Sequence, residues 1–258
     1  MKSIYVIIFS VFIFQSNAQI SEIKSAAKSH SGSTSSSSSS DYSYSGISGG
    51  DYCSDACTDV CLDVCLGVLI DVVLDHHVYV MQNREDYKTA LSLDFIPHVG
   101  MNFNDNINML PRIRGNWGAF ALDYRANLLV ELVDYAADMY LMHDILFGFN
   151  YYVTPNYKIR AETGILYGSY IDNAVNENAV AIDINSDDYK YLFSGETIFT
   201  IDQGGFGYVF TEYNINIGFR FFETKHLWGY VNVGGAIQEY YRAVTLYTFR
   251  TGLTYTIR

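Results

Sequence analysis

Residues 208–258 constrain the fold more than any other stretch. In the segment from Tyr208 to Phe222, the side chains of Val209, Tyr213, Ile215, Ile217, Phe219 and Phe221 are apolar. Glu212, Asn214, Asn216, Gly218 and Arg220 alternate with them. A period of two places one set on each face of a strand, so this strand has an oily side and a wet side. After the polar turn Thr224-Lys225-His226 the pattern returns in Leu227, Val231 and Val233. It then continues through Tyr247, Phe249, Leu253, Tyr255 and Ile257. Long alternating segments joined by short turns form a sheet whose apolar face needs an apolar neighbour.

The same alternation recurs upstream. It predicts strands over 88–103, 117–131, 143–153 and 158–169, with weaker ones over 178–184 and 189–201. Tyr (23) and Phe (16) are abundant while Pro (3) is scarce, which suits strands at a boundary between water and an apolar phase. A net charge of −12 argues against a nucleic-acid partner, because that binding needs clustered Lys and Arg.

The N-terminal region reads as an export leader. Lys2 precedes the apolar run Ile4 to Phe14, and Ser16-Asn17-Ala18 follows. This is the pattern of a secretory signal peptide over residues 1–18, since the run is short of the ~20 residues a spanning helix needs. Residues 19–52 contain a Ser-, Gly- and Tyr-rich tract and are expected to be a disordered tether.

Residues 53–81 carry two series at a spacing of four. One is Cys53, Cys57, Cys61 and Cys65; the other is Asp55, Asp59, Asp63, Asp71 and Asp75, with Gly67 in the missing place. Val60, Leu62, Val64, Leu66, Val68, Ile70, Val72 and Leu74 alternate between them. This favours a strand over 60–75, with a helix as the alternative. Along a strand the sulfurs stand roughly 13 Å apart, too far to share a metal or a bridge. On a helix, neighbouring thiols could oxidise. His76-His77 beside Asp75 reads as a polar cluster at a loop edge rather than a metal site.

With 60–75 as the first strand the count is ten, an even number. Tight turns at 154–157, 185–188 and 223–226 then fall on one side. The connections at 76–87, 131–142, 170–177, 202–207 and 239–243 fall on the other. Only 104–116 is long for a tight-turn side. If 53–81 is helical and 178–201 is one excursion, eight strands remain.

In its leader, alternating strands, parity and closing strand over about 60–258, the chain resembles the small outer-membrane β-barrel proteins of Gram-negative bacteria. The resemblance implies an all-β, antiparallel, up-and-down transmembrane barrel over 53–258. It also implies outer-membrane localisation, lipid as the surrounding partner and the barrel-assembly machinery as a partner in biogenesis. Where many members end on an aromatic residue, this chain ends Ile257-Arg258. Trp117, Trp228 and the Tyr residues then read as an interfacial girdle.

The polar face carries the functional reading. Asp63, Asp71, Asp94, Asp123, Arg125, Lys158, Arg160, Glu162, Glu196, Glu212, Arg220 and Arg250 are expected to face the lumen. Charges in a narrow barrel must pair or stay hydrated. They either lock the lumen or line a narrow, cation-preferring path. Ten strands lie near the filled end of the barrel size range. HExxH and a phosphate loop are absent, the GxSxG match at Gly46–Gly50 falls inside the Ser-rich tract, and no cofactor, metal site or catalytic residue is expected. An outer-membrane enzyme acting on lipid or peptide, with His98 or His143 as its base, is the second reading. A secreted β-rich protein that binds another protein is the third.

Overall fold

In the computed structural model, residues 19–34, 70–102, 106–133, 136–169, 174–201 and 209–258 are described. Ten strands pair in one antiparallel ring: β1 (Leu91–Asn102), β2 (Asn106–Trp117), β3 (Phe120–Val133), β4 (Ala136–Thr154), β5 (Tyr157–Gly168), β6 (Val175–Asn185), β7 (Tyr191–Ile201), β8 (Phe210–Glu223), β9 (Leu227–Tyr240) and β10 (Val244–Ile257). Each strand pairs with its neighbours in sequence, and β1 closes the ring on β10 through Phe95 opposite Tyr255. Closure leaves no edge strand with free backbone groups, which is the condition for a sheet to cross a membrane. Strand lengths run from 11 residues in β6 to 19 in β4, enough for tilted strands to span hydrocarbon.

The side chains are sorted inside out. Leu122, Phe147 and Ile217 are each 58% exposed on the outer face. Asp123, Arg160 and Glu212 are each 1% exposed inside. Each large apolar side chain left in water forfeits about 1.5–3 kcal/mol of burial, so this surface belongs against lipid. The architecture is that of an up-and-down transmembrane β-barrel.

The ring differs from the sequence expectation in two elements that offset each other in the count. The first strand expected at 60–75 is not one of the ten: residues 70–82 are helical, and 53–69 lie outside the described residues. In turn, 104–116, expected as a long turn, holds β2. Strand β2 contains Pro111, which cannot donate to a ladder. The barrel accommodates it by facing Pro111 with Pro97 of β1. The register of β2 with β3 skips Leu110 and Pro111, and that of β1 with β10 skips Ile96 and Pro97.

Two helices accompany the barrel. Helix α1 (Gln19–Thr34) occupies part of the stretch expected as a tether. Ile20, Ile23 and Ala27, one stripe at spacings of three and four, are buried. Helix α2 covers 70–82. Its Val73, His76, His77, Val80 and Met81 face the protein, again at helical spacing. The connections at 118–119, 155–156, 186–190 and 224–226 share the near end, where the chain enters β1 and leaves β10. The opposite strand ends, among them Asn106, Gly168, Val175, Phe210, Tyr240 and Val244, lie at the far end.

Candidate functional site

The barrel interior has three zones. At the far end, inward-facing Leu129, Tyr140, Met142, Leu166, Phe210 and Tyr240 form an apolar cluster with Ile20 and Ile23 of α1. The Ile20 amide donates to the Glu131 carboxylate at 3.1 Å, and Lys24 pairs with Asp138. Helix α1 therefore seats in the far mouth.

The middle zone is ionic. Alternation along β2 turns Arg112 and Arg114 inward, while Ile113 faces out at 44% exposure. The Arg112 guanidinium donates two parallel bonds to Glu196 of β7, both 2.7 Å. Its Nε also reaches Asp123 at 2.8 Å. In a ring of ten, β2 and β7 stand opposite each other, so this fork-to-fork pair bridges the full diameter. Arg114 donates to Asp123 at 2.6 Å. Arg160 contacts Glu162 at 2.8 Å, Asp183 at 2.9 Å and Glu196 at 3.3 Å. Lys158 adds a 3.4 Å pair to Asp183.

A second cluster lies on the far side of the first. Arg250 donates to both oxygens of Glu212, at 2.8 and 2.9 Å. Arg125 pairs with Asp144 and reaches Glu177 at 3.1 Å. It also lies 3.8 Å from Glu212 on the opposite strand β8. Asn214 joins the clusters by donating to Glu196 and Glu212, both at 3.0 Å. Asn108 of β2 donates to Gln238 of β9 at 2.9 Å.

The near end is aromatic. Tyr189, with a positive φ of 56°, turns its ring inward from the β6–β7 turn. Its hydroxyl donates to Pro155 O at 3.0 Å, and Tyr230 donates to Tyr189 O at 2.8 Å. Trp228 packs 5.1 Å from the Tyr189 ring, and the Arg258 guanidinium lies 3.6 Å over Trp228. Tyr152 donates to Thr89 O at 3.2 Å, tying the segment before β1 into this layer. A chamber beneath this layer is lined by Asp94, Asn232 and Thr256 and reaches into the ionic zone, where Arg112, Glu196, Arg125, Glu212 and Arg250 also line it.

Of the twelve charges singled out in the sequence, eight meet in the ionic zone: Asp123, Arg125, Lys158, Arg160, Glu162, Glu196, Glu212 and Arg250. Asp94 is inside but near the chamber, accepting from Asn116 at 3.1 Å. Arg220 sits at the near rim, paired with Glu223 at 2.9 Å. Asp71 does not face the interior: it is exposed on α2, because the segment is helix rather than strand. Asp63 and the four cysteines lie outside the described residues. Arg112, Arg114, Asp144, Glu177 and Asp183 were missed. Asp183 was legible, since it alternates with Ile182 and Ile184; Arg112 and Arg114 were hidden by the loop reading of 104–116. Trp117 lies on the outer face, whereas Trp228 is buried inside, against its expected place in a girdle.

Neither candidate base stands in a catalytic arrangement. His98 points inward with Nε2 buried and without a hydrogen-bond partner. His143 lies on the outer face, bonded through Nδ1 to the Tyr124 hydroxyl at 2.9 Å. Its neighbour Asp144 faces the other way, onto Arg125. His76 and His77 serve backbone: the Tyr152 and Ala119 amides donate to them at 3.1 and 3.3 Å.

No family model and no curated protein matches the chain. Among solved structures it is similar to a KdgM porin in complex with disordered oligogalacturonate, at 12% identity and a TM-score of 0.38, over 64% of this chain and 98% of that one. It is also similar to the N-terminal β-barrel domain of Pseudomonas aeruginosa OprF, at 11% identity and a TM-score of 0.30, over 64% and 97%. A de novo designed transmembrane β-barrel matches at 9% identity and a TM-score of 0.29, over 64% and 95%. The closed ten-strand ring stands on this chain's own pairing.

Proposed function

We propose that the protein is an outer-membrane barrel whose interior is locked, with a structural role rather than that of an open pore. The observation that carries this reading is the Arg112–Glu196 fork across the diameter, supported by the contact of Arg125 with Glu212 between another opposite pair of strands. Buried charges of both signs are stable in a low-dielectric interior only when paired, and each bond across the barrel takes up space that a water column would need. Helix α1 at the far mouth and the aromatic layer at the near end add two further closures. The near end carries tight turns and both barrel termini, the features of the periplasmic side in barrels of this architecture.

The competing reading is a narrow cation path. Its support is the near-end chamber, where Asp94 and Asp183 face Lys158. Swelling of vesicles in an isosmotic solution of a small sugar or of potassium thiocyanate, whose lipid-permeant anion balances the potassium entering, separates the two. The locked barrel leaves the swelling rate at that of protein-free vesicles. Faster swelling with the potassium salt would establish the path and remove the locked reading.

A further inference from the structure

We infer that α2 is a membrane-interface helix, seated in the leaflet at the near end with Ile70, Leu74 and Val78 turned toward the acyl chains. The inference rests on the membrane reading of the barrel and adds a second lipid contact to it.

Three observations carry it. First, α2 leans on the outside of the wall. The His76 ring stacks on Tyr151 at 4.8 Å, and the His77 ring meets Trp117 edge-on at 4.7 Å. Tyr151 and Trp117 are outward-facing and 48% and 57% exposed, so the helix sits against the near border of the lipid-facing surface. Second, it is fixed there. Strand β3 begins at Phe120 opposite Phe149, so β4 projects past it. In the notch so formed, His76 and His77 take the amides of Tyr152 and Ala119. Gly118, at φ +57°, admits His77 where a Cβ would lie 2.4 Å from its Nδ1.

Third, the exposed side of α2 is apolar where it continues that surface. Ile70, Leu74 and Val78, four residues apart, are 56%, 46% and 49% exposed. At 100° per residue they form a stripe beside the protein-facing side. Asp71, Asp75 and Gln82 project on the side away from the wall. A helix of this pattern next to a lipid-facing border has its apolar stripe satisfied by the hydrocarbon boundary and its carboxylates by headgroup water.

The test is quenching by phospholipid brominated near the glycerol end of the acyl chains. The full-length protein carries Trp117→Phe, leaving Trp228, which is buried inside, as a constant reference. Leu74→Trp reports on the helix and Leu122→Trp on the barrel wall; Val78→Trp replaces the first if that variant does not refold. The expected result is loss of emission from both added indoles in brominated vesicles relative to unbrominated ones. If the wall indole dims while the helix indole stays bright, the seating of α2 is overturned and the barrel stands. If neither dims, the membrane reading fails and the helix proposal falls with it.

Discussion

Glu196 accepts from Arg112, Arg160 and Asn214 at once, so its removal costs each buried guanidinium one carboxylate, Arg112 keeping Asp123 and Arg160 keeping Glu162 and Asp183. Glu196→Ala is expected to cost about 1–3 kcal/mol, the penalty for leaving buried charged donors short of an acceptor. Asp71→Ala, on the exposed side of α2, is expected to stay within about 0.5 kcal/mol. Urea unfolding of both variants in the same lipid checks the contrast; equal midpoints would contradict it. Gly118→Ala meets a left-handed backbone and the His77 ring together, and the backbone alone is worth about 1–2 kcal/mol. A lower urea midpoint, with faster proteolysis before β1, is the expected result. At this scale the sequence was readable wherever alternation was clean. Asp123, Arg160 and Glu212 were placed inward from their neighbours' spacing alone. What spacing could not reveal was pairing: nothing in it joins Arg112 to a carboxylate 84 residues away.

The elements that misled did so for identifiable reasons. Residues 60–75 alternate aliphatic and polar side chains as a strand does, yet from 70 onward the chain is helical. There the protein-facing set Val73, His76, His77 and Val80 satisfies the period of 3.6. Two templates fit one segment, and the notch beside β4 selects the helix. Strand β2 was lost because 104–116 reads in sequence as a connection between strands; its Pro111, which lacks a donor, is tolerated opposite Pro97. Helix α1 was hidden by low hydrophobicity, although Ile20, Ile23 and Ala27 carried its stripe. The docking of α2 should depend on pH. Burial holds the His76 imidazole below its ordinary value of 6.5, and its Nε2 accepts the Tyr152 amide only when neutral. Above pH 6.5 both docked and released forms are neutral and docking is intact. As pH falls below 6.5 the released form takes up protons first, so docking weakens. The protection of the Tyr152 amide, its exchange rate relative to the base-catalysed rate of a free amide at the same pH, should therefore fall between pH 7 and pH 5, and His76→Phe, with no ring nitrogen to protonate, should remove most of that pH dependence.

For the whole molecule, the inside-out sorting of side chains follows from alternation plus closure, and both were legible because a barrel needs them in every strand. Even the count of ten survived two errors, since β2 took the place of the strand expected at 60–75; parity, which brings both ends of the barrel to one side, holds for eight strands as well. Whether the interior is open was not legible, because a polar face looks the same in sequence whether its charges bridge the barrel or line a channel. The structure places those charges in bridges, and the account of function depends on that difference. It is tested most directly by recording from the full-length protein in planar bilayers, after an unboiled gel shift has verified the folded barrel. The locked interior predicts a flat trace at the level of the bare membrane. Reproducible unitary steps from the unaltered protein would contradict it.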